Sequence, residues 1–84
     1  MTSTQRAEIV SLAKELASAE SRAPDVKDPE WLIVPKPDAW HAFCERYPNP
    51  RPQEQEELFE LAYAAEAARL WVCELDKLVR EALK

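Results

Sequence analysis

Glycine is absent from this chain of 84 residues. Phosphate-cradling loops, the dinucleotide-binding turn, the calcium-loop bend and the glycine-containing RNA-binding signatures all need a backbone without Cβ. Most nucleotide-using enzymes are therefore excluded. Histidine occurs once and cysteine twice, which leaves little material for a metal centre or a nucleophilic site. No window approaches the length of a membrane span, and the start MTSTQRAEIV has no cationic segment leading into an apolar run. The expected setting is the cytoplasm, without membrane contact. There Cys44 and Cys73 are expected as free thiols rather than a disulfide.

Positive charge is also in short supply. Eleven Lys and Arg against sixteen Asp and Glu give a net charge of −5, which discourages direct contact with nucleic acid or an anionic membrane and suits a basic partner. The length corresponds to a single domain that buries roughly 60 to 65% of its unfolded surface, and cores this small often recruit partners or further copies.

Proline is abundant and confined. All seven prolines, at positions 24, 29, 35, 37, 48, 50 and 52, fall in one stretch of 29 residues, and the segments on either side have none. Proline fixes φ, removes a donor and pushes the preceding residue away from helical dihedrals, so long helices are confined to the flanks. The expected fold is all-α: two main antiparallel helices, about 3–22 and 52–83, joined by a Pro- and aromatic-rich connector, 23–51, that carries one or two short helices. The whole is one small helical domain.

Thr2 and Gln5 have capping-box spacing at the start of the first helix. Ile9, Leu12, Ala13, Leu16 and Ala19 then form a single apolar stripe, most simply a packing face. In the connector, Trp31, Leu32, Ile33, Val34, Trp40, Phe43 and Tyr47 are too apolar for a disordered segment. Asp28-Pro29-Glu30 has the form of a capped helical turn, and Leu32 to Pro37 is expected to be extended. Asp38 is expected to cap a short helix, about 39–47, whose face is Trp40, Phe43, Cys44 and Tyr47 and which ends at Pro48.

The last helix has two apolar faces. Leu58, Leu61, Ala65, Ala68, Val72, Leu75, Val79 and Ala82 alternate by three and four residues, a heptad seam flanked by Trp71 and Leu78. Phe59, Tyr63, Ala67 and Leu70 form a second stripe pointing elsewhere. One partner helix cannot cover both. The simpler arrangement has helix 1 on the seam and the aromatic connector on the second stripe. The alternative has the part of the helix beyond helix 1 pairing with a second copy or another protein. Glu54, Glu56, Glu57 and Glu60 near its start and Lys77, Arg80 and Lys84 near its end suit the helix dipole.

Candidate chemistry is thin. His41 and Cys44 have H-x-x-C spacing, and Cys73 would add a third ligand, but no second close pair completes a zinc site, and no third group orients a Cys-His catalytic pair. No catalytic residue, cofactor or metal is assigned. The acidic start of the last helix is most simply a dipole-favoured, solvated end, with nucleic-acid mimicry as the functional alternative. Pro48-Asn49-Pro50-Arg51-Pro52 is stiff like a ligand of proline-reading domains but lacks P-x-x-P spacing, and serves best as a stop and restart between helices.

Together these features point to a non-enzymatic protein-interaction module that binds a partner protein, inhibition of that partner being one outcome. The size is similar to that of small accessory proteins of phages and mobile elements that work by stoichiometric binding. The alternatives are a self-assembling structural protein, with a homodimer through helix 3, and an acidic nucleic-acid-mimicking inhibitor; a small-ligand binder or enzyme ranks last. Trp, Tyr and Arg dominate interface energetics. The candidate contact residues are Trp31, Trp40, Tyr47, Arg51, Phe59, Tyr63, Leu70 and Trp71, with Arg46 in support.

Overall fold

The computed structural model describes residues 1–20 and 35–84. Trp31, the Asp28-Pro29-Glu30 turn and the stretch from Leu32 to Val34 lie outside the described residues. Three helices account for most of the rest: α1 (Ser3–Glu20), α2 (Pro37–Arg46) and α3 (Gln53–Ala82), with no strand among the described residues. The all-α class, with two long helices and a short one between them, is as expected.

Local chemistry sets the helix starts. Before α1, the Thr2 backbone N–H donates to Gln5 Oε1 at 3.0 Å and the Gln5 N–H donates to Thr2 Oγ1 at 3.1 Å. This reciprocal capping box satisfies donors that have no intrahelical partner. The expected end of α1 near Arg22 lies outside the described residues. α2 begins at Pro37, with Lys36 extended at its N-cap, so the helix opens earlier than expected and Asp38 is a first-turn residue rather than the cap. A proline's fixed φ suits the first helical turn, where its missing N–H costs nothing. α2 ends at Arg46, one residue short of expectation, and the Tyr47 N–H closes it on the Phe43 carbonyl at 2.9 Å. Pro52 is the N-cap of α3 rather than its first residue, and Leu83 caps the other end.

Length separates the two long helices. α1 has 18 residues and α3 has 30, about 27 Å against about 45 Å at the usual rise. The molecule is correspondingly long, 52 × 24 × 16 Å.

Contacts at one end fix the direction of the helices. The Tyr47 hydroxyl, just past α2, donates to Glu8 Oε2 near the start of α1 at 3.2 Å. The Arg51 Nη1 donates to the Tyr47 carbonyl at 3.1 Å, and Arg51 also pairs with Glu56 in the first turns of α3. The start of α1, the end of α2 and the start of α3 therefore meet at one end of the molecule. Phe43 stacks on Phe59, so α2 and α3 form the antiparallel hairpin and α1 runs in the same sense as α3. This differs from the antiparallel pairing of the two long helices expected above, because α2 has the length to act as a third, return helix.

The core is small and graded in size. α1 contributes Ile9, Ala13 and Ala17, α2 contributes Ala39 and Phe43, and α3 contributes Phe59, Tyr63 and Ala67, all essentially fully buried. Leu12, Leu16, Trp40, Tyr47, Leu58 and Trp71 pack around them, half-buried, while Ala19 of the expected α1 stripe is exposed. The alanines of α1 let its backbone approach closely and leave the volume of the core to aromatic rings. Phe43 and Phe59 are stacked, with centroids 4.4 Å apart, and Trp40, Tyr47 and Tyr63 lie tilted around them at 5.4 to 6.2 Å. Each such pair contributes about 0.5–1.5 kcal/mol beyond the area it buries.

The face of α3 turned to the core is thus the second stripe, with Gln55 at its start. Most of the heptad seam is left uncovered, with Leu58, Ala68 and Leu75 half-buried. Leu61 is 69% exposed, Val72 57% and Val79 57%, and Ala65 and Ala82 are exposed too. Large planar rings gain more by burial than Leu, Val and Ala gain from a regular seam, so the aromatic stripe takes the core.

Candidate functional site

The platform beneath the exposed face of α3 is pinned by Arg51. Its side chain is 6% exposed. The guanidinium carbon lies 5.6 Å from the Trp40 ring centroid and 5.3 Å from that of Phe43, within the range of a cation–π contact. Nη2 donates to Cys44 Sγ at 3.3 Å. Nε stands 2.9 Å from Glu56 Oε1, an ion pair whose N–H is not aimed along a hydrogen bond to any of the described residues. The proline run around it includes a cis Asn49–Pro50 bond. In place of a proline-motif arginine offered to a partner, the structure has an internal bolt joining α2 to the first turns of α3.

The candidate contact residues divide accordingly. Trp40, Tyr47, Arg51, Phe59 and Tyr63 come together in and around the core. Phe59 is 0% exposed and Tyr63 1%, so neither presents a surface to a partner. Tyr47 stays half-exposed; its hydroxyl is pushed above the usual tyrosine value by desolvation and then by its bond to the Glu8 carboxylate. Leu70 and Trp71 are half-buried on α3, and the Trp71 indole N–H is buried without an acceptor among the described residues. Arg46 lines a shallow groove with Thr4, Glu8, Leu12 and Glu15 of α1.

The chemically versatile side chains are engaged separately or exposed. His41 is exposed and pairs with Glu45 one turn on, at 3.0 Å. Cys44 is half-buried and bound to Arg51, and Cys73 is exposed; both are free thiols. Among the described residues no three His, Cys, Asp or Glu side chains converge as metal ligands, and no helix is long and apolar enough to cross a membrane. In the acidic start of α3, Glu54, Glu57 and Glu60 are exposed while Glu56 is turned to Arg51. That engagement thins the patch.

What stands out on the surface is the far side of α3. Leu61 and Ala65 are each two positions from Tyr63, about 160° around the helix from the core face. The seam continues through Val72 and Val79, with Leu78 48% and Leu83 81% exposed beside it. Its borders are charged and mostly paired along the helix: Arg69 to Glu66, Lys77 to Glu74 at 3.6 Å, and Arg80 to Asp76 at 2.8 Å. The Arg69 hydrogen bond draws Glu66 below the usual carboxylate range. Such pairs stabilise the helix along this face.

Leu61, Val72, Leu78, Val79 and Leu83 were not among the contact residues expected from sequence. The signal was visible as the 3–4 alternation, but that alternation does not say whether the covering helix belongs to the same chain. No protein-family model, curated protein or solved structure matches this chain at a significant level.

Proposed function

We propose that this protein is a non-enzymatic interaction module whose working surface is the far face of α3, from Leu61 to Leu83, and that it binds a protein helix or groove there in the cytoplasm. The observation that carries the reading is the exposure of a heptad-spaced apolar row, Leu61, Ala65, Val72 and Val79, on a helix already anchored by its opposite face. Exposed apolar side chains are ordinary when scattered; a row in register over three heptads is the pattern by which one helix receives another. The aromatic core and Arg51 serve the surface by keeping α3 straight and fixed, so that little conformational entropy is lost on binding. Inhibition of the partner follows when the bound face is one the partner itself needs.

Affinity capture from a lysate of the source organism, comparing the tagged wild type with Val72→Glu/Val79→Glu, tests this. Both side chains are 57% exposed, so the variant keeps its fold, and circular dichroism verifies that. Wild type is expected to retain protein, of its own or another kind, that the variant releases. Equal retention by both would refute the assignment of the face.

A further inference from the structure

We infer that the occupant of this face is a second copy of the chain, lying antiparallel along the C-terminal half of α3. The inference rests on the reading of the far face given above and names its partner. It comes from the charges that border the seam. In heptad terms Leu58, Ala65, Val72 and Val79 are a positions, and Leu61, Ala68, Leu75 and Ala82 are d positions. The residues beside them, which set the orientation and register of a helix pair, are Ala62, Arg69, Asp76 and Leu83 on one side and Glu57, Ala64, Trp71 and Leu78 on the other.

A parallel pair is disfavoured by its acidic end. It would bring Glu54, Glu57 and Glu60 of both copies together at one end, and all of these are exposed; it would also align the two helix dipoles. An antiparallel pair separates the acidic ends. Of the antiparallel registers that keep the apolar layers in phase, two centre on the C-terminal half of α3 and retain most of its layers. One sets Ala68 beside Val72 of the second copy, and it forces Arg69 against its own counterpart. The other, shifted by a heptad, sets Val72 beside Leu75, Ala68 beside Val79 and Ala65 beside Ala82, and it places each Arg69 against the Asp76 of the other copy.

The same register lays each Trp71 against Leu78 of the other copy, so both borders are self-complementary under one two-fold axis. Arg69 and Asp76 have side chains 60% and 56% exposed, and they are free to swing from their intrahelical partners. The stretch from residue 68 to the end carries Arg69, Lys77, Arg80 and Lys84 against Glu74, Asp76 and Glu81. Its charge is mixed and nearly balanced, whereas residues 53–67 carry five Glu and no Lys or Arg, so two copies meet there without the repulsion of the acidic start of α3. The overlap runs from residue 65 to residue 82 of each helix, so only the last turn of each α3 reaches the level of the other copy's core, on the face of α3 turned away from it.

Sedimentation equilibrium of the purified full chain from about 1 µM to about 500 µM tests the proposal, with charge reversals to read the register. Wild type is expected to form a dimer, and Val72→Glu/Val79→Glu a folded monomer. Arg69→Glu and Asp76→Arg are each expected to weaken the dimer about tenfold, since two attractive border pairs become repulsive. The double reversal should recover affinity to within about threefold of wild type. Within one chain these two residues are seven apart and not paired; each reversal there turns an attraction, to Glu66 or to Arg80, into a repulsion, so intrahelical damage would accumulate in the double variant rather than cancel. A dimer unaffected by Val72→Glu/Val79→Glu, or reversals that do not rescue one another, would overturn the proposal. A monomeric wild type that still captures a different protein lost by the variant would overturn the second copy as occupant while leaving the interaction face standing. A monomer with no differential capture would remove both.

Discussion

Phe59 and Leu61 are two residues apart on α3 and exchange roles between a heptad reading and the structure. Phe59 is fully buried, stacked on Phe43 at 4.4 Å and within 6.2 Å of Trp40 and Tyr63, whereas Leu61 is 69% exposed. Replacing Phe59 with Ala removes a whole ring from a closed core and strands its neighbours around a void, a change that costs about 3–5 kcal/mol. A domain of this size has a total stability of roughly 4–13 kcal/mol, so Phe59→Ala loses a large share of it. Phe59→Leu keeps much of the volume and should cost about 1–2 kcal/mol, which keeps the comparison measurable if the alanine variant does not fold. Leu61→Ala removes a side chain already in water, and it lies outside the layers of the proposed dimer; the expected change is within about 0.5 kcal/mol. Urea unfolding followed by circular dichroism at 222 nm, on dilute monomeric protein, reads all three. A loss for Leu61→Ala equal to that for Phe59→Leu would refute the burial of the aromatic stripe and restore the seam as the core.

Other substitutions probe the parts that support α3. Arg51→Lys keeps the charge but loses the contacts of the planar guanidinium with Tyr47, Cys44 and the two rings; a loss of about 1–3 kcal/mol in the same unfolding assay is expected, and no loss would show that the bolt is dispensable. Tyr47 has its pKa raised in the fold above the ordinary 10.0, so its contribution is fully present below that value and is lost as pH rises through the folded value. Tyr47→Phe should flatten the alkaline limb of a stability profile while changing neutral stability by no more than about 1 kcal/mol. Glu66 is shifted the other way, below its ordinary 4.5; its contribution is present above that value and lost as pH falls through the folded one. Glu66→Gln should therefore make the acid limb less steep, as read by melting temperature against pH, and an unchanged limb would remove the pair with Arg69 from the account. His41→Ala, at an exposed pair with Glu45, should shift stability by less than about 0.5 kcal/mol and leave capture by the far face unchanged.

Much of this architecture is legible along the chain. Seven prolines between two proline-free flanks keep the long helices out of the middle of the chain and place the start of α3 to within a residue, because the constraint is local and covalent. The capping box at Thr2 and Gln5 is likewise a matter of spacing and of unsatisfied donors. Less legible is the run from Leu32 to Pro37, expected to be extended, of which Pro37 proves to open α2: proline is compatible both with extended chain and with a first helical turn, and only the packing of Phe43 against Phe59 selects between them. The direction of α1 is similarly hidden, since an amphipathic stripe has no polarity and Ile9, Ala13 and Ala17 would pack equally well in either sense. Arg51 was visible as a cation in a stiff proline segment, but its partners come from Trp40, Phe43, Cys44 and Glu56, which no spacing rule connects.

The sequence by itself determined that the chain is all-helical, where proline permits each long helix, and that α3 carries more apolar surface than one neighbour can cover. Only the tertiary structure decided which of its two faces is inside. The alanines of α1 approach closely and leave room for rings, so Phe59 and Tyr63 turn inward with Phe43, and the regular row of Leu61, Val72 and Val79 is left facing out. Periodicity marks both faces equally; the choice follows from how much area and volume each can fill against the helices actually present.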